Sequence, residues 1–249
     1  MSTYFKDKTI LLTGASSGIG ASLAKLLSQQ GAILLLCGRD TSRLQQVQET
    51  CGSQARMIQA DLTTQEGRDT LCEALSNTCV DMALLNAGTC VYLDADQFRA
   101  DIFNQQLVDN VFTTAHCVEM VLPSLLSSKG QLVIMSSLAA YGGLTKASAY
   151  GASKAALRIM AQSLDLDLRP KGVCVSCICP GFVKTPLTDL NTFKMPFLLS
   201  TEKAGRIILR GIARQQHEIH FPLRFSLLMK VLTSLPASWQ YHLLRNLSV

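Results

Sequence analysis

The feature that most limits what this chain can fold into is an alternation. Short, largely apolar runs at Lys8–Thr13, Ala32–Cys37, Arg56–Gln59, Asp81–Leu85, Gln131–Met135 and Val173–Cys179 are separated by longer segments with apolar residues at helical spacing. A strand with one wet face alternates apolar and polar side chains, whereas a strand apolar throughout has both faces covered. Covered strands with helices between them make a parallel sheet flanked by helices on both sides. The helices expected are one after the first strand that stops at Gly31, then Thr41–Cys51, Gln65–Ser76, Phe98–Leu126, and one carrying Tyr150 that runs to Leu168, before Pro170. No internal repeat or linker interrupts the pattern. The fold class is therefore α/β, a Rossmann-type doubly wound sheet in one domain over residues 1–249. Its core spans about 5–220 and a helical tail about 222–249. Ligands of such a sheet bind at the carboxyl ends of the strands.

Hydrophobic residues make up 48% of the chain and charged ones 16%, which excludes a disordered class. The N-terminus shows no basic region followed by a long apolar run. No uninterrupted apolar stretch reaches the ~18 residues of a membrane span. Nine scattered cysteines without an export signal imply reduced thiols in a cytoplasmic protein. Cys174, Cys177 and Cys179 lie in a buried strand, with Cys177 and Cys179 on one face and Cys174 on the other. That alternation, without partnering histidines, reads as core packing rather than a metal site. His217 and His220 flank Glu218 and are expected to meet no metal. From Glu202 onward seven basic residues stand against two acidic ones, so the net charge of +5 resides in the tail. No nucleic-acid motif accompanies it.

Three stretches carry chemistry. Thr13-Gly14, Ser16, Ser17, Gly18, Ile19 and Gly20 form a glycine-rich turn between the first strand and the first helix. Such glycines let backbone approach a pyrophosphate at a helix N-terminus, the plainer reading being a flexible turn. The second strand ends at Gly38-Arg39. An acidic residue there would take a ribose 2′-hydroxyl; the arginine suits a 2′-phosphate, hence NADP(H) over NAD(H). The plainer reading is a solvated arginine paired with Asp40. Lastly, Tyr150 and Lys154 stand four apart, one helical turn on one face. An ammonium beside a phenol favours phenolate and lowers its pKa, suiting it to proton transfer. A surface pair is the bland alternative. Ser137, at a strand end, is the third group of this set.

Taken together, these residues resemble the short-chain dehydrogenase/reductase family from about Lys8 to about Thr185. The TGxxxGxG turn matches at Thr13–Gly20. The family's adenine-contacting aspartate matches Asp61, with Leu62 beside it. Its Asn-Ala-Gly matches Asn86, Ala87 and Gly88, with Leu85 where another asparagine is usual. Its helix asparagine matches Asn110. Its serine matches Ser137, thirteen residues before Tyr150, which distinguishes it from Ser136. Its Pro-Gly segment matches Pro180, Gly181, Val183 and Thr185. The resemblance implies Tyr150 as general acid in carbonyl reduction, or base in the reverse. Lys154 would tune it and hold the nicotinamide ribose, Ser137 would bind the substrate oxygen, and Asn110 would help hold a water that relays protons. It implies NADPH-dependent reduction of an apolar, lipid- or steroid-like ketone or aldehyde. The alternatives are an alcohol dehydrogenase working oxidatively and a dinucleotide-binding regulatory or scaffold module.

The resemblance also implies a homodimer or homotetramer through the helices Phe98–Leu126 and Tyr150–Leu168. It implies a substrate lid over about 186–205, whose Leu187, Phe193, Met195, Phe197, Leu198 and Leu199 suit an apolar substrate, or ordinary lid packing. Tyr141, Gly142, Gly143 and Leu144 are expected along the substrate wall. The tail departs from the family, with no seventh strand or Val-Asp-Gly-Gly ending. Phe225, Leu228, Met229 and Leu232 would share one helical face, and Trp239, Leu243, Leu244 and Leu247 a second stripe. These helices either pack on the body or a subunit, or make peripheral contact with a membrane surface.

Overall fold

Each apolar run becomes a strand because it has two surfaces to bury. In a computed structural model describing residues 3–190 and 195–247, Ile10 and Leu12 of β1 (Thr9–Thr13) face one side of the sheet with Leu34 and Leu36 of β2 (Ile33–Gly38). Leu11, Leu35 and Cys37 face the other. The remaining strands are β3 (Ala55–Gln59), β4 (Met82–Leu85), β5 (Gln131–Met135), β6 (Cys174–Pro180) and β7 (Glu218–Phe221). All seven are parallel, in the order β3-β2-β1-β4-β5-β6-β7. From β1 the order runs outward to β2 and β3 on one side and to β4 on the other. The crevice between the ends of β1 and β4 is thus the switch point where ligands of such sheets bind.

Helices α1 (Gly18–Ser28), α2 (Thr41–Cys51), α3 (Gln65–Leu75), α4 (Ala100–Leu107), α5 (Thr113–Ser128), α6 (Ser148–Leu168) and α7 (Thr201–Ala213) cover the sheet. Leu23 and Leu27 of α1 and Ile208 and Ile212 of α7 are fully buried against one face; Val121 and Leu125 of α5 and Leu157 of α6 pack on the other. Each such side chain contributes about 1.5–3 kcal/mol relative to exposure. Three of the helices are closed at their N-termini by their own side chains. Asp40 accepts from the Arg43 N–H, Thr64 from Gly67 and Ser200 from Lys203. At α1, Ser17 makes no such bond, so the first-turn N–H groups face the crevice uncapped.

The structure departs from the sequence reading in four places. A seventh strand exists: β7 pairs with β6, and only Ile219 and Phe221 of it are buried. As the edge strand it is four residues long and half wet, so it lacks the continuous apolar run that marks the others. The expected single helix Phe98–Leu126 begins at Ala100 and is interrupted by a π turn, Val108–Phe112, between α4 and α5. Residues 201–205 of the segment expected as a lid form the first turn of α7. In the tail, α8 (Leu223–Ser234) packs Met229 and Leu232 on the body as expected, with Phe225 partly buried, but Leu228 is exposed. Trp239 and Leu243 of α9 (Ala237–Leu247) are exposed too; Phe193 and the side chain of Leu247 lie outside the described residues.

Helix α8 is fastened by one carboxylate. Glu218 of β7 accepts from the Tyr141 hydroxyl at 2.6 Å and the Arg158 Nε at 2.8 Å, and pairs with Lys230 Nζ at 2.7 Å. Tyr141, expected along the substrate wall, is instead committed to this node. Burial alone would raise the Glu218 pKa, but Lys230, Tyr141 and Arg158 together outweigh it and hold it at about 2. The carboxylate is therefore more acidic folded than unfolded. Its stabilisation is present above the ordinary glutamate range and is lost as pH falls toward about 2. Glu218→Gln is expected to cost about 2 kcal/mol at neutral pH and to flatten the loss of stability on acidification, both read by urea unfolding. An unchanged acid limb would remove Glu218 from that role.

Candidate active site

The β1–α1 turn holds its shape because no side chain fits at two of its glycines. Gly14 sits at φ +62°, and a Cβ on Gly20 would lie 2.0 Å from the Gly14 carbonyl oxygen. Thr13 braces the turn from behind: its Oγ1 accepts from the Asn86 and Ala87 N–H groups, each at 3.1 Å. The Asn86 amide donates to the Thr13 and Gly14 carbonyls at 3.2 and 3.1 Å. The turn, the end of β4 and the uncapped start of α1 thus form one rigid lip. An anion fits there, since free N–H groups and the helix dipole both favour negative charge.

A cleft runs from this lip in two directions. Toward β2 it is lined by Ser16, Gly38, Arg39 and Arg43, with Asp61 and Leu62 opposite. Asp40 caps α2 and pairs with Arg43 at 2.6 Å, rather than with Arg39 as the bland reading has it. Asp61 is held below its usual range, first by the Thr63 hydroxyl and more weakly by the Arg39 charge. Gly38 thus leaves room for a group carrying extra negative charge, with two guanidinium side chains at hand. Arg43 was missed in the sequence because Arg39 lies in the bend before α2 and Arg43 inside it, and only the fold brings both to the cleft.

In the other direction the cleft passes Ala87, Gly88, Ser137, Tyr150 and Lys154, and is bounded by Pro180, Gly181, Val183 and Thr185. Ser17, Gly18 and Ile19 line it as well. Three sequence-predicted residues stand behind it instead: Thr13, Gly20 and Asn110. Asn110 is fully buried in the π turn. Its Oδ1 accepts from the Thr89 N–H at 2.8 Å, and its Nδ2 donates to the Thr89 carbonyl at 3.1 Å and the Ser153 hydroxyl at 2.9 Å. Its amide therefore ties α4–α5 to α6 and to the loop after β4. A π turn at such a place is a common mark of a functional site. Thr89, Ser153 and Gln106, which bonds Thr89 and Val91, were invisible in the sequence because they meet only across elements.

The two adjacent serines divide their work. Ser136 donates to the Lys154 carbonyl at 2.8 Å, fixing α6 against β5. The Ser137 hydroxyl accepts from the Ala139 N–H and hydrogen-bonds Tyr150. Lys154 is 4% exposed; its Nζ donates to the Met135 carbonyl at 3.0 Å and lies 5.8 Å from the Tyr150 ring centre. Burial brings its pKa down to about 8, against a smaller opposing effect of Cys90. Tyr150 differs from the sequence expectation of a lowered pKa. Burial, then Cys90, push its phenol well above the ordinary value, and the Ser137 bond offsets only part of this. The phenol is thereby kept protonated.

Comparison with known proteins agrees with this geometry. The family described as "short chain dehydrogenase" matches residues 8–194. An "uncharacterized oxidoreductase" of Myxococcus xanthus is 35% identical over 235 residues, covering 92% of this chain and 93% of that protein. A short-chain dehydrogenase from Sphingobium yanoikuyae, solved in complex with NADPH, superposes with a TM-score of 0.81 at 25% identity over 91% of this chain and 94% of that one. A Caenorhabditis elegans short-chain dehydrogenase/reductase of unknown function, solved with cofactor, gives 0.81 at 26% identity over 92% and 99%.

The lip is directly testable. Gly20→Ala drives a methyl into the Gly14 carbonyl and opens the turn, so affinity for a reduced nicotinamide dinucleotide, read by fluorescence titration, is expected to fall about tenfold or more. Undiminished affinity in that variant would mean that the turn does not hold the pyrophosphate.

Proposed function

The chain belongs to the short-chain dehydrogenase family, and within it we propose an NADPH-dependent reductase of an apolar ketone or aldehyde, lipid- or steroid-like in character. The observation that carries the reading is the convergence of the Ser137 hydroxyl, the Tyr150 phenol and the buried Lys154 ammonium at one end of a cleft whose other end is lined by Arg39 and Arg43. That the chain is an oxidoreductase of this family follows from its membership; the cofactor preference, direction and substrate are our proposals.

Bound NADPH supplies the hydride. Arg39 and Arg43 hold the 2′-phosphate, the uncapped start of α1 and the glycine lip hold the pyrophosphate, and Asp61 with Leu62 borders the adenine. Lys154 holds the nicotinamide ribose. At the reacting end, Ser137 donates a hydrogen bond to the substrate carbonyl oxygen, and Tyr150 gives it a proton as charge builds there. Lys154 stabilises the phenolate left behind. Asn110, by fixing Thr89 and α6, keeps Lys154 and the path to solvent in register. A binding or scaffold module has no need of this set.

At the substrate end, Phe182 stacks on Phe225 of α8 with ring centres 6.1 Å apart, and Phe197 of the lid lies 6.4 Å from Phe225. Leu187 lines the cleft. These groups support an apolar substrate. Exposed Phe112, Leu126, Ile159 and Leu166 support a homodimer or homotetramer through α5 and α6. All nine cysteines are free, which supports a reducing compartment such as the cytoplasm.

Tyr150→Phe is expected to lower kcat by about 10²–10⁴-fold while NADPH binding persists; near-normal turnover would sink the acid assignment. Arg39→Ala should weaken NADPH binding and leave NADH binding little changed, and equal losses for both would remove the 2′-phosphate role. With Lys154 needed as ammonium, kcat/KM should fall as pH rises through about 8. A profile flat to strongly alkaline pH would show that its charge is not required.

A further inference from the structure

We propose that the outer face of α8, continued by α9, docks this protein on an anionic lipid bilayer beside the mouth of the substrate cleft. Helix α8 is apolar on two sides. Its inner side buries Met229 and Leu232, with Phe225 against Phe182. Its outer side carries Leu223, Leu227 and Val231, four residues apart and therefore in one stripe, at 71%, 64% and 52% exposure. A helix on a wetted surface ordinarily has a polar outer face, so a second apolar stripe turned outward points to something covering it. Helix α9 adds exposed Trp239 and Tyr241, side chains that settle at a membrane–water boundary. The Gln240 amide ties α9 to the end of α8 by donating to the Thr233 and Leu235 carbonyls at 3.1 and 2.6 Å.

Charge decides the occupant. Residues 222–249 contain Arg224, Lys230 and Arg245 and no aspartate or glutamate. Arg224 is exposed on one flank of the stripe, and Lys230, on the other, reaches back to Glu218. A two-fold contact between copies would set this cationic face against itself, whereas anionic headgroups complement a basic rim around an apolar stripe. Among the described residues no helix is long and apolar enough to cross a bilayer, so the helices lie on it.

The placement gives the surface a purpose. Phe225 joins α8 to the lid through Phe197, and a Cβ on Gly181, which lines the cleft, would lie 3.3 Å from the Phe225 ring. Lid residues Phe197 and Leu198 are themselves about half exposed. A bilayer against α8 would lie next to the lid, and a lipid-soluble carbonyl would pass from it into the cleft without crossing water. This last step rests on the proposed reductase reading; the docking face does not.

Flotation of the full chain with phosphatidylcholine vesicles, with and without phosphatidylglycerol, tests it. The parent protein is expected to float with the phosphatidylglycerol vesicles and to release severalfold as salt is raised. The double variant Leu227→Glu, Val231→Glu should lose about tenfold or more of that binding, and Arg224→Glu should weaken it on anionic vesicles alone. These positions are exposed, so NADPH binding should be retained in every variant and reports the intact fold. Failure of the parent to float, or equal flotation of parent and double variant, overturns the proposal. So does a solution dimer that the double variant splits while the parent ignores vesicles, which gives the face to a second copy. Reduction of a water-soluble ketone is measured separately, so its absence counts against the reductase reading and leaves the docking face standing.

Discussion

Both faces of the seven-stranded sheet must be buried, and most of the molecule's organisation follows from that. Leu11 and Leu12 are neighbours in sequence and belong to different cores, one on each side of β1. With helices on both faces, the sheet offers polar chemistry no place except the ends of its strands. The carboxyl ends of β1, β4, β5 and β6 carry Gly14, Asn86, Ser137 and Gly181 respectively into one cleft. The site is a consequence of where the apolar surface runs out.

In the cleft and at the Glu218 node under α8, burial and charge pull in opposite directions, and the magnitudes differ from residue to residue. For Glu218, three donors outweigh burial and the carboxylate stays ionised. For Lys154, burial wins over its neighbours and leaves the ammonium titrating near pH 8. For Tyr150, burial wins again and protects the proton. Spacing on a helix predicted that Lys154 would acidify Tyr150; depth in the fold reverses the direction, because desolvation of a phenolate costs more than a cation 5.8 Å from the ring returns.

Local features were legible in the chain. The glycine turn, the Gly38-Arg39 strand end, Ser137 with its thirteen-residue spacing to Tyr150, and the bounds of α2 and β5 all follow from neighbours in sequence. What stayed hidden depends on partners far along the chain. Strand β7 is held by β6 and α8, not by its own pattern, and reads as a polar segment in isolation. The π turn exists because Asn110 reaches Thr89 and Ser153, twenty-one and forty-three residues away. The thirteen-residue spacing set Ser137 apart from Ser136, but not that the Ser136 hydroxyl is spent on the Lys154 carbonyl.

The sequence by itself determined the α/β class, the glycine turn after β1 and the Ser137, Tyr150 and Lys154 set, because periodicity and short spacings are properties of neighbouring residues. Only the tertiary structure decided the upward shift of the Tyr150 phenol, the placing of Arg43 and Arg39 along one cleft, and the Glu218 node that ties α8 to Tyr141 and Arg158. It also decided which stripe of α8 faces inward and which is left outside. Those outcomes depend on burial and on contacts between distant segments, and a linear pattern carries no record of depth.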